Sequence, residues 1–72
     1  MSKLDLHGIR HHEVPRKVDI FLGEHMQKGT NEVKIIIGHS DQMKNIVDKV
    51  LTDYGLTSEY GYISKSELIV KL

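Results

Sequence analysis

The chain opens Met1-Ser2-Lys3-Leu4-Asp5-Leu6-His7-Gly8, with a carboxylate and an imidazole two residues apart between leucines. Alternate side chains of an extended strand share a face, so Asp5 and His7 fall on one side and Leu4 and Leu6 on the other. A carboxylate near an imidazole raises the ring's affinity for a proton. Such a pair supplies a general base and a general acid for cleaving a phosphodiester. In that use His7 transfers the proton, and Asp5 orients it or holds a cation. The competing use is structural: Asp5 accepts hydrogen bonds from loop amides and His7 caps the strand.

A second constellation is Gly38-His39-Ser40-Asp41. A glycine turn ahead of a helix leaves backbone N–H groups free to meet a phosphate, and Gly38 lets the backbone come close. Asp41 opposes an anion at the same helix end, which would push a phosphate toward His39. The plainer use is an ordinary helix cap, with Ser40 and Asp41 satisfying those amides. A third group is basic: Arg10, His11, His12, Arg16 and Lys17, with Lys44 on the next helix. These residues can form a rim that holds a strand by its phosphates without reading its bases. Glu13 and Asp19 dilute that charge, and a solvated helix start is the alternative.

The five histidines, His7, His11, His12, His25 and His39, raise the question of a metal. No pair has the two-His helical spacing with a catalytic Glu, and adjacent His11 and His12 diverge, so no dedicated transition-metal site is expected. Mg²⁺ or Mn²⁺ held loosely at Asp5 is the cofactor the residues allow, and one carboxylate makes a poor cage.

The elements that must position these residues follow from apolar spacing. Lys3 to His7 reads as a strand ended by Gly8, and His12 to Lys28 as a helix with Pro15 near its start. Val14, Val18, Phe21, Leu22 and Met26 form its inward stripe, and Gly29 closes it. Glu32 to Ile37 reads as the second strand, and because Ile35-Ile36-Ile37 is apolar on both faces it is expected to be central. Asp41 to Tyr54 is the second helix, with Ser40 as N-cap, a stripe of Met43, Ile46, Val47, Val50, Leu51 and Tyr54, and a Gly55-Leu56 stop. Thr57 to Tyr62 is polar and reads as an edge strand, Ser64-Lys65-Ser66 as a turn, and Glu67 to Leu72 as an apolar interior strand. The predicted class is α/β, a two-layer βαβαββ sandwich with a four-stranded mixed sheet and both helices on one face. The first two strands are parallel through a right-handed crossover, and the edge strand is expected to run opposite to the other three. Asp5, Lys34, Ile36, Ile69 and Lys71 point to the open face, where Tyr60 and Tyr62, sharing a face, can stack on nucleic acid or dock a partner.

The strand ends matter because ligands favour the crevice outside the carboxyl ends of parallel strands. Both unusual loops meet there. The remaining constraints are broad. Seventy-two residues support one domain, 1–72, with a small core. Ten basic and ten acidic residues balance, which argues against binding nucleic acid through bulk charge. There is no cysteine, no secretory leader pattern and no apolar run of membrane-spanning length, so a cytoplasmic setting is expected.

The pentapeptide Leu4-Asp5-Leu6-His7-Gly8, followed by helix, strand, glycine turn, helix and hairpin, resembles the Smr (small MutS-related) domain over nearly the whole chain. The family is similar in fold to the C-terminal domain of a bacterial translation initiation factor. It includes nicking endonucleases acting on DNA and endoribonucleases acting on messenger RNA, some at ribosomes. The resemblance implies nucleic-acid binding and phosphodiester cleavage, RNA slightly favoured over DNA. It places Asp5, His7 and Gly8 at the family's acidic, imidazole and glycine positions. After the second strand the family usually carries Thr or His, then Gly, any residue and Gly. Here the stretch is Ile37-Gly38-His39-Ser40, so only Gly38 matches, with His39 one place late for the polar group. That departure leaves two alternatives open: a non-catalytic nucleic-acid-binding module, and a small protein-interaction domain at ribosomes or with a repair enzyme. The expected state is a monomer or weak homodimer.

Overall fold

The computed structural model describes residues 2–72. The strands are β1 (Ser2–Asp5), β2 (Glu32–Ile36), β3 (Ser58–Tyr60) and β4 (Glu67–Lys71), and the helices are α1 (Val14–Gln27) and α2 (Asp41–Asp53). A short 3-10 turn, His11–Glu13, leads into α1, with Pro15 in the first helical turn where its missing N–H costs little. The four strands form one mixed sheet in the order β1-β2-β4-β3.

Period-2 alternation sets the faces. Val33 and Ile35 of β2, with Leu68 and Val70 of β4, are fully buried. Val14, Val18 and Leu22 of α1 and Met43, Val47 and Leu51 of α2 complete the same core with Leu6. Both helices therefore cover one face, as expected. At the end of α1 the inward position belongs to His25 (8% exposed) rather than Met26 (39% exposed). His25 stays satisfied there: its Nδ1 lies 3.0 Å from Thr30 Oγ1 and its ring tilts against Phe21. The i+3 step from Leu22 prevails over i+4 because this polar partner is available at the helix end.

Both helices end in the same glycine device. After α2, Gly55 at φ 72° donates to the Thr52 carbonyl, and the next amide, Leu56, reaches Leu51. After α1, Gly29, also at φ 72°, donates to Met26, and Thr30 reaches His25. These paired bonds satisfy carbonyls that the helix leaves open, and the left-handed residue suits glycine.

Strand direction differs from the expectation in one respect. β1 and β2 are parallel, but β4 is antiparallel to both β2 and β3. The reversed strand is thus the interior β4, and edge strand β3 runs with β1 and β2. The crossover through α2 returns the chain in the direction of β2, and the closing hairpin then inserts β4 between them. The carboxyl ends of three strands consequently lie along one edge of the sheet. At the opposite end Ser2 pairs in register with Val33, and the Leu72 amide donates to the Asn31 carbonyl at 2.8 Å.

The face away from the helices carries a Lys34–Glu67 ion pair at 2.7 Å. Tyr62 joins Lys34 and Ile69 around a hollow on that side. Tyr60 does not: it pairs in register with buried Leu68 and belongs to the helix side. The two tyrosines therefore do not share a face, because β3 ends at Tyr60 and the chain bends before Tyr62. No helix among the described residues is long and apolar enough to cross a membrane.

Candidate nucleic-acid interface at the strand ends

β1 stops at Asp5, two residues sooner than the alternation suggests. Leu6 still donates to the Ile36 carbonyl, and Ile9 then donates back to Leu6 at 3.0 Å. That bond closes a turn with His7 and Gly8 at its centre. Gly8, third in the turn, has φ 82°, the conformation that calls for glycine in a type II turn. His7 is therefore a turn residue, and strand alternation does not govern where its ring points.

Asp5 fixes this turn. Its Oδ1 accepts the His7 backbone N–H at 2.9 Å. The contact is the structural use foreseen for the carboxylate, an Asx-type bond to the amide two residues on. The observed partner of Asp5 is the His7 main chain, so the carboxylate holds the backbone that carries the imidazole.

The imidazole reaches the second loop. A Cβ placed on Gly38 would lie 3.4 Å from His7 Cδ2, and Gly38 itself has φ 68°. Glycine thus serves twice here: it adopts the left-handed turn after β2, and it leaves the ring edge uncovered. Ile37, just before it, is 3% exposed and belongs to the core. Ser40 is the N-cap of α2, its Oγ accepting the Met43 amide at 3.1 Å. The amides of Asp41 and Gln42 precede it in the first turn, where an α-helix offers no internal acceptor.

The sequence-predicted residues do not form one site. Asp5, His7, Gly8 and Gly38 meet at the ends of β1 and β2. His39 and Ser40 line a small hollow of about 110 Å³ with Ile37, Asp41, Tyr60 and Lys65. His12, Arg16 and Lys17 line a hollow on α1 with Glu13 and Ile20, whereas His11 lies in a groove between the helices with Pro15, Ile46, Lys49, Val50 and Asp53. Arg10 is exposed and its carbonyl accepts the Glu13 amide at 3.0 Å. Lys44 does not join the basic rim. Its Nζ lies 2.5 Å from Asp48 Oδ2, one helical turn along the β3 side of α2. That hydrogen bond holds the ammonium above its ordinary pKa of 10.5, against a smaller opposing effect of desolvation.

Tyr60 and Lys65 are the residues that sequence reasoning did not place at this edge. The Lys44 and Lys65 ammonium groups lie 5.3 Å and 5.9 Å from the Tyr60 ring centroid, within cation–π range. The available signal was the crossover through α2. A helix crossing between β2 and β3 returns the chain in the direction of β2, which makes β3 parallel to β2 and brings the end of β3 to the same edge.

Among the described residues no three His, Cys, Asp or Glu side chains converge to hold a metal. Asp5 brings one carboxylate, with one oxygen already bonded to an amide. This donor set does not fit a dedicated divalent-cation cage, which draws on several oxygen ligands.

Together these features define a small two-layer α/β domain with two glycine-turned loops closing on an exposed imidazole at its strand ends. The chain belongs to the Smr domain family, which matches residues 4–67 of the 72. No curated protein and no solved structure matches it significantly. The family assignment points to nucleic-acid binding.

Proposed function

We propose that this Smr domain binds nucleic acid along its strand-end edge and cleaves a phosphodiester there, RNA being the favoured substrate. The observation that supports it most is the approach of the His7 ring to Gly38, since it leaves an exposed imidazole beside a loop that a phosphate can reach. On RNA the 2′-hydroxyl oxygen attacks phosphorus while the bond to the 5′-oxygen breaks, giving a cyclic phosphate and a free 5′-hydroxyl. His7 takes the proton from the nucleophile or gives one to the leaving oxygen. Asp5 is a positioning residue that fixes the His7 main chain. Gly8 and Gly38 shape the two turns. His39 and Ser40 border the phosphate position, while Arg10, His12, Arg16 and Lys17 extend the contact over the start of α1, with His11 in the neighbouring groove between the helices. No step is assigned to a metal ion.

A second reading has its own support. Ile37 stands in the core where the family usually carries a polar residue, and the Ser40 hydroxyl is used in capping. Both favour a domain that binds nucleic acid without cutting it. The deciding experiment incubates wild type and His7→Ala with labelled single- and double-stranded RNA and DNA, with Mg²⁺, Mn²⁺ or EDTA. Cleavage lost in His7→Ala with binding kept supports the nuclease. Binding without cleavage in wild type gives the binding module, and no salt-sensitive binding removes both in favour of a protein-interaction domain.

A further inference from the structure

Tyr60 stands at the same edge without belonging to either loop. It is 41% exposed on the helix side of β3. Its surroundings are rigid on one flank. Asp48 accepts Lys44 Nζ on one carboxylate oxygen and the Ser58 hydroxyl, at 2.6 Å, on the other. One carboxylate thus ties the cation on α2 to the strand that carries the ring. Lys65, the second cation near the ring, is not tied in this way. Lys65 is exposed in the turn before β4, and among the described residues it is in no ion pair. An exposed cation–π contact is weak, so a phosphate competes with the ring for this ammonium. The same hollow brings in His39 and Ser40, which continue to Gly38 and the His7 ring.

An aromatic face, a free ammonium, a hydroxyl and an imidazole in one strip match the parts of a nucleotide. We propose that Tyr60 is a stacking platform for one unpaired base of the bound strand, with Lys65 leaving the ring to pair the adjacent phosphate. The inference rests on the nucleic-acid reading of this edge and deepens it. The substrate must be single-stranded at this point, because a base within a duplex has no free face to offer. Specificity for sequence is low, since every base has a stackable face.

The test measures binding of a short labelled single-stranded oligoribonucleotide and of the matching duplex by fluorescence anisotropy. Wild type is compared with Tyr60→Leu, Tyr60→Phe and Lys65→Ala. Tyr60→Leu should lose affinity for the single strand on the order of tenfold or more, and Tyr60→Phe should retain most of it. Duplex affinity should change little. Lys65→Ala should lower the slope of log K against log salt by about 0.7, one phosphate contact on a single strand. The chain has no tryptophan, so quenching of tyrosine emission on binding gives a second readout, absent in Tyr60→Leu. If wild type binds and Tyr60→Leu binds equally well, the stacking platform is overturned and the nucleic-acid reading stands. Equal losses on single strand and duplex also overturn it, since they mark a fold or charge effect. If wild type binds neither probe, both readings fall.

Discussion

Replacing Gly38 by alanine separates the stability role of this residue from its role at the site. An L residue held in the left-handed region costs roughly 1–2 kcal/mol. Alanine also restricts the unfolded chain, which returns about 0.4–1 kcal/mol. The net loss is on the order of 1 kcal/mol, and for a domain of this size that lowers Tm by about 4–8 °C. The added methyl sits 3.4 Å from His7 Cδ2, an ordinary contact, so no further clash is expected. Gly55 provides the control. It has nearly the same φ, 72° against 68°, and nothing lies within 4 Å of the Cβ position. Gly38→Ala and Gly55→Ala should therefore melt together, by calorimetry or circular dichroism. On the proposed function they should part in activity: only Gly38→Ala covers the ring edge that the proposal gives to a phosphate. A displacement of about 1 Å at a reacting centre costs on the order of a hundredfold, so its cleavage should fall by at least tenfold while Gly55→Ala stays near wild type below its Tm. If the two variants also cleave and bind alike, the reasoning that Gly38 is kept open for a ligand beside His7 is refuted.

Other expectations follow from single contacts. Ser40→Ala removes the N-cap of α2 and should cost about 1 kcal/mol, read as a lower urea midpoint with unchanged slope. Leu51→Ala opens the core under α2 and should cost about 2–5 kcal/mol, a large part of the stability of so small a domain. Tyr54, the C-cap of α2, donates its hydroxyl to the Asp19 carboxylate on α1, which raises its pKa above the ordinary 10.0. Lys44 is likewise raised above 10.5 by Asp48. Because both folded-state values lie above the unfolded ones, this stabilisation is fully present below about pH 10 and is lost as pH rises through the folded values. An ultraviolet titration should show a tyrosine ionising above 10.0 that is missing in Tyr54→Phe, and the alkaline loss of stability should be smaller in that variant and in Asp48→Asn.

Most of the architecture was legible because the signals were local. The stripe Met43, Val47, Leu51, the Ser40 cap and the Gly55 stop each state a helix and its limits, and the structure keeps all three. Alternation in Val33, Ile35, Leu68 and Val70 gave the core face of the sheet. What failed was non-local. The interior place of β4 was read correctly, but its direction follows from the crossover through α2, which makes β3 parallel to β2 and so leaves the hairpin partner β4 reversed. That one error carried Tyr60 away from the strand-end edge. Lys44, expected on the basic rim, is paired with Asp48: that contact is legible at i,i+4, but the Ser58 bond to the same carboxylate and the approach to Tyr60 required the fold. At the site, the sequence reading paired the Asp5 carboxylate with the His7 imidazole, whereas the observed link runs to the His7 main chain, because the turn at Gly8 begins before the imidazole.

The four left-handed glycines fall at two poles of the molecule. Gly8 and Gly38 stand at the pole with the exposed imidazole, while Gly29 and Gly55 stand at the other, with Ser2 and Leu72 beside them. Whatever is joined to either end of the chain, whether an affinity handle, a fluorophore, a surface tether or another folded unit, is therefore attached at the back. The domain can be immobilised or fused in either order with its loops still facing the medium. A permuted chain with the two ends linked across that back pole should also leave the loops as they are.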